Sequence, residues 1–135
     1  GTLHYHASTT IAIAASNNLK TSADTERTGI DTVYTKYKDI DVAQTGTVRV
    51  KFDFKGETTG ESNARIYKNG VAAGTERAVT TDWVTFSEDI SVTKGDNLQL
   101  YLKSSGASYS FYGRNFRLYW DKAYTIASDY TVVTD

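Results

Sequence analysis

With 135 residues, 15 basic and 16 acidic side chains, a formal net charge of −1 and no cysteine, the chain is sized for one domain and lacks disulfides, thiolate metal sites and any cysteine nucleophile. A near-neutral balance gives no broad electrostatic grip on nucleic acid or an anionic membrane, so neither is expected as a partner. The longest apolar run, Ile11 to Ala15, is far below the roughly 20 residues of a membrane helix, and membrane insertion is not expected.

Ten tyrosines, abundant threonine and serine, and the absence of proline favour strands over helices. Without proline, sheet edges must be twisted, charged, covered or paired with another chain. The chain opens on glycine and contains no methionine, which suits a processed product or a piece of something longer.

In chain order, Tyr5 to Ala15 reads as one strand with Ile11 and Ile13 sharing a face. Ser16 to Gly29 is polar and reads as a loop, with a brief helical turn around Ala23 to Arg27. Residues 1–29 are therefore expected as an N-terminal strand and polar arm or linker, and residues 30–135 as the main domain. Ile30 to Val42 reads as a strand or pair of strands. Val48, Val50, Phe52 and Phe54 then alternate with Arg49, Lys51, Asp53 and Lys55, the period-two signature of a half-buried strand with the apolar set inward.

Gly56 to Gly60 is a polar turn. Ala64 to Tyr67 leads into Asn69-Gly70, whose tolerance of positive φ suits a type I′ hairpin turn, and Val71 to Ala73 is the return arm. Trp83 to Phe86 and Ile90 to Val92 read as two short strands. The turn Thr93-Lys-Gly-Asp96 follows, then Leu98, Leu100 and Leu102 alternate with Gln99, Tyr101 and Lys103. Tyr109 to Trp120 is the next strand, with Gly113 marking a bulge and Phe116, Leu118 and Trp120 inward. Tyr124 to Val133 closes the chain. Eight to ten short strands predict an all-β fold, a two-sheet antiparallel sandwich of jelly-roll-like form, with a closed barrel as the competitor.

Chemistry is sparsely provided. No spacing singles out a carboxylate pair for acid–base work, and no Gly-x-Ser-x-Gly elbow or phosphate loop occurs. His4 and His6 alternate onto one face but lack a third ligand in sequence. Asp96 and Asn97 suit capping of a turn better than holding calcium. No catalytic, cofactor or metal residues are expected, and the chain is not expected to be an enzyme. Tyr67, Tyr101 and Tyr119 fall on the phase opposite the apolar residues, with Tyr112, Arg114 and Asn115 near in sequence. Stacking rings beside hydrogen-bonding groups suit a sugar; equally, such rings stiffen a sheet or meet another subunit. Trp120 shares the inward phase, whereas Trp83 reads as an edge or rim residue.

The strings Thr47-Val-Arg-Val-Lys-Phe-Asp-Phe54, Ala64-Arg-Ile-Tyr-Lys-Asn-Gly70 and Phe86-Ser-Glu-Asp-Ile-Ser-Val-Thr-Lys-Gly-Asp96 resemble β-sandwich modules of tailed-bacteriophage virion proteins. Leu98-Gln-Leu-Tyr-Leu-Lys103 and Asn115-Phe-Arg-Leu-Tyr-Trp120 continue the likeness, which covers residues 46 to 120. The resemblance implies a non-enzymatic structural protein of the virion, a tail, spike or capsid-decoration component acting in assembly or host attachment. It also implies a homo-oligomer, with a trimer preferred, other virion proteins as partners, a host-surface glycan as a further one, and attachment to the particle through residues 1–29. Contact loops are then expected at Gly56 to Ser62, Gly74 to Asp82 and Ser104 to Tyr109. The alternative is a carbohydrate-binding module of a secreted or cell-surface protein, using Tyr101, Tyr112 and Tyr119 to stack and Arg114 or Asn115 to bind hydroxyls.

Overall fold

The computed structural model describes residues 2–57, 60–106 and 109–133, with side chains described between residues 12 and 123 of these. Ten strands are described: β1 (Thr2–Ala23), β2 (Arg27–Gly29), β3 (Thr35–Asp41), β4 (Gly46–Gly56), β5 (Ser62–Lys68), β6 (Val71–Ala72), β7 (Arg77–Val79), β8 (Val84–Val92), β9 (Asn97–Ser104) and β10 (Phe111–Val133). They form two sheets. Sheet A runs β2-β10-β1-β4-β8 with a further β10–β4 pairing, and sheet B runs β3-β9-β5-β6 with β7 also on β5. The fold is the all-β, two-sheet sandwich that the alternation implies. Its pairings are antiparallel except for one parallel contact, Ile13 beside Gly46.

Period-two burial builds the core. Val48, Val50, Phe52 and Phe54 from sheet A meet Ile66, Leu98, Leu100 and Leu102 from sheet B, and Phe111, Phe116 and Leu118 of β10 complete the layer. Burial of this kind contributes about 1.5–3 kcal/mol per large side chain. The outward residues of β4, Arg49, Lys51, Asp53 and Lys55, lie on the far side of sheet A, as a side-chain period of two requires. Ile13 also belongs to this core.

Several boundaries differ from the sequence reading, for one physical reason: pairing partners distant in sequence decide where a strand ends. Ser16 to Gly29, expected as a loop with a helical turn, is mostly strand, because β10 provides backbone partners for Leu19 to Ala23 and for Arg27 to Gly29. The expected strand at Ile30 to Val42 is only Thr35–Asp41, and it slips register between Lys36 and Lys38, which scrambles its phase. The two short strands expected between Trp83 and Val92 are one continuous β8, paired throughout with β4. Arg77–Val79, read as loop, pairs with the start of β5. Tyr109 to Trp120 and Tyr124 to Val133 are a single strand, because β1 runs beside it from Ala23↔Phe116 to Thr2↔Val133.

The bulge in β10 is also displaced. Gly113 pairs regularly with Phe54, and the register shift falls between Arg114 and Arg117. Asn115 takes a left-handed conformation there (φ 54°), which asparagine tolerates better than most residues. The Asn69-Gly70 turn has both φ values positive, at 52° and 80°, as a type I′ hairpin requires.

Candidate functional site

The core separates the six residues singled out from sequence into two groups. Tyr112, Arg114, Asn115 and Tyr119 come from β10 on the outer side of sheet A, whereas Tyr67 and Tyr101 come from β5 and β9 on the outer side of sheet B. The two groups cannot form one platform.

On sheet B the rings satisfy one another. Tyr67 and Tyr101 are stacked with centroids 3.8 Å apart and planes 5° from parallel, and Tyr34 closes against Tyr67 at 5.9 Å. The Lys103 ammonium stands 4.8 Å over Tyr34. Burial, together with the nearby Glu76 carboxylate, holds the Tyr34 hydroxyl well above the usual tyrosine pKa. Rings that spend their faces on each other stiffen the sheet.

Sheet A is organised differently. Backbone register sets Tyr112 beside Lys55, Arg114 beside Asp53, and Arg117 beside Lys51, with Thr85 on the opposite flank of Asp53. Asp53 is the hub. Its Oδ2 accepts from Asn115 Nδ2 at 2.7 Å and its Oδ1 from Thr85 Oγ1 at 2.8 Å. Arg114 Nε and Arg117 Nη2 each lie 3.5 Å from the same carboxylate. The bulge at Asn115 makes this convergence possible, since it turns the amide toward Asp53 while its carbonyl accepts from Arg117 Nε at 3.0 Å. At 8% exposure, a carboxylate needs such a shell of donors.

Aromatic rings flank the hub at both ends. The Arg114 guanidinium lies 3.7 Å from the Trp83 ring centre, and Lys55 Nζ stands 5.2 Å from Trp83 and 5.0 Å from Tyr112. At the other end Lys51 Nζ is 4.8 Å from Tyr119, and Arg49 is tied to Asp89 at 3.0 Å and to Asn17 at 2.9 Å. Sequence reasoning found the β10 half of this face and missed Trp83, Lys55, Lys51 and Asp53. Their outward phase on β4 and next to β8 was readable, but nothing local says that β4 lies beside β10.

Two of the expected contact loops meet at one depression of about 340 Å³, lined by Glu61, Val79, Thr80, Asp82 and Val84 among others. Of Ser104 to Tyr109, residues 107 and 108 lie outside the described residues, as do 58 and 59 of Gly56 to Ser62. His4 and His6 likewise fall outside the described side chains. Among the described residues no three His, Asp or Glu side chains gather as a metal site would require. Asp96 caps its turn, accepting from Thr93 N at 2.8 Å and from Asn69 Nδ2 at 2.9 Å, and these bonds hold its pKa below the usual carboxylate value. Trp120 is half-buried against the core, with Lys20 Nζ 5.1 Å over its ring.

No protein-family model and no curated protein matches the chain. Among solved structures, one described as "CBM4 structure and function" is similar over 62% of this chain and 59% of its own, with 16% identity and a TM-score of 0.46. Nothing about a ligand follows from a likeness at that level.

Proposed function

We propose that this chain is a non-enzymatic attachment and assembly module of a virion surface, with the outer face of sheet A as its recognition surface for a host glycan. The observation that carries the recognition half is the arrangement around Asp53. Trp83 and Tyr112 are interleaved with Arg114, Asn115 and Arg117 on one sheet, so rings and hydrogen-bonding groups are fixed in register with each other, whereas Tyr119, expected as a stacking ring, is buried at 9% exposure beneath Lys51 and Arg117. Sugars combine apolar ring faces with hydroxyls and are matched by that combination. The placement on a tailed-phage particle is supported by the strand and turn strings between residues 46 and 120. The same face would serve a carbohydrate-binding module of a secreted or surface protein, and the recognition chemistry is common to both.

The assembly half is supported by β1 and β10. From Ala15↔Trp120 to Thr2↔Val133 these strands pair with each other for about 45 Å at some 3.4 Å per residue. The described pairings there include one other neighbour, at Gly46. A two-stranded ribbon is marginal by itself, and its β1 edge, from Thr2 to Leu19, contains no Lys, Arg, Asp or Glu to guard it, whereas the β10 strand carries Asp121, Lys122 and Asp129. The uncharged β1 edge suits pairing with further copies of the chain or with another particle protein, and a trimer is the preferred state.

The test combines molar mass in solution across concentration with glycan-array binding of the intact assembly. An oligomer that binds a defined glycan class, and loses it in Trp83→Ala or Tyr112→Ala, is expected. A monomer that binds one sugar class would remove the assembly half. An oligomer blind to every glycan would remove the recognition half.

A further inference from the structure

We infer that the outer face of sheet A selects an acidic oligosaccharide, one sugar carboxylate being held between Lys55 and Arg114 beside Trp83 and Tyr112. This deepens the recognition reading above and rests on it.

Charge comes first. The face carries five cations, Arg49, Lys51, Lys55, Arg114 and Arg117, against four carboxylates, Asp53, Glu26, Asp89 and Asp121, a balance of 5 − 4 = +1. The whole chain is −1, so everything else sums to −2. Asp89 and Asp121 lie at the Arg49 end, so the surplus positive charge falls at the end that carries Trp83 and Tyr112.

These cations are not equally engaged. Arg49 is held by Asp89 and Asn17, and Arg117 by the Asn115 carbonyl and Asp53. Lys55 Nζ, by contrast, makes only ring contacts among the described residues, to Trp83 and Tyr112. Arg114 lies on Trp83, and its Nε is shut from solvent without a hydrogen bond. Its nearest carboxylate oxygens are 3.5 Å away on Asp53 and 3.9 Å away on Glu26. Asp53 already serves Asn115 and Thr85. Arg114 is thus ion-paired on both flanks while Lys55 has no anionic partner among the described residues, and a carboxylate seated beside Trp83 would give Lys55 one through a charge-assisted hydrogen bond, with Arg114 as a second cation at its edge.

Rings and cations together also describe single-stranded nucleic acid sites. The carboxylates decide against that. Glu26 and Asp89 stand half-exposed at the two flanks, where they would repel a chain charged at every residue but accept hydroxyl hydrogens from a sugar. The face from Lys55 to Arg49 spans about 20 Å at the usual rise per residue, room for a short oligosaccharide.

Calorimetric titration of the intact chain tests this, using acids charged at one sugar or at alternate sugars only (a hyaluronan hexasaccharide, an unsulfated chondroitin hexasaccharide and sialyllactose), each beside its methyl ester, with dT15 as the nucleic-acid probe. At least one acid should bind about tenfold or more tighter than its ester, and Lys55→Gln and Arg114→Gln should each weaken it about tenfold, the scale of one charge-assisted contact. Lys55→Gln, on the open face, keeps the test valid should Arg114→Gln unfold. Equal binding of acid and ester overturns the acidic selection and leaves glycan recognition standing. No binding here or on a neutral glycan array overturns both. Tighter binding of dT15 than of every sugar overturns the choice of a glycan.

Discussion

Single residues carry more of this architecture than their chemistry suggests. Asp53 draws a threonine, an asparagine and two arginines onto one point of an otherwise open sheet. Removing a buried acceptor leaves its donors unpaired. Asp53→Ala is therefore expected to cost about 2 kcal/mol in urea unfolding, with Asp53→Asn much milder; an unchanged midpoint would show that the hub is decorative. Tyr37 gives a pH signature. Burial and its hydrogen bond to Asp31 push its hydroxyl up to about 12. A folded-state value above the unfolded one near 10 means that the stabilisation is complete below about pH 10 and is lost as pH rises toward about 12. The stability gap between the wild type and Tyr37→Phe should narrow over that window. Lys38, whose pKa burial lowers, works in the opposite direction, since its desolvation penalty fades as pH rises toward its ordinary value. Subtracting the Tyr37→Phe curve from the wild-type curve isolates the tyrosine.

Among the elements, legibility followed the locality of the cause. The β4 and β9 alternations and the Asn69-Gly70 turn depend on neighbours within a few residues, and each is found where the pattern places it. The extent of β1 and β10 depends on partners far away in sequence, from Gly29↔Phe111 to Thr2↔Val133, so the polar stretch 16–29 looked unstructured when it is mostly strand. The site divides in the same way. Tyr112 to Tyr119 are read from one strand, whereas Lys55 and Trp83 become part of the face only through pairing across β4 and β8. Gly46 shows how tightly these elements approach. It has φ of 145°, and a Cβ there would lie 2.1 Å from the Ile13 carbonyl oxygen, at the point where Ile13 N donates to Thr45 O at 3.0 Å. Gly46→Ala combines backbone strain with a backbone clash, so a loss of about 2 kcal/mol or more is expected. Thermal unfolding of that variant measures it, and wild-type stability would mean that β1 and β4 do not meet there.

At the scale of the molecule, the two sheets divide the work. Sheet B closes its tyrosines on one another, whereas sheet A leaves cations, a hub and rings facing outward. The same period-two rule that packs Phe52 and Leu100 inward sets both outer faces. Which face meets a partner is the central question, and NMR chemical-shift mapping answers it most directly. With the tightest-binding oligosaccharide added, the Trp83 indole and the amides of Tyr112, Arg114 and Asn115 should shift, while Tyr67 and Tyr101 stay still. Shifts confined to Tyr34, Tyr67 and Tyr101 would place recognition on the opposite side of the sandwich and contradict the assignment.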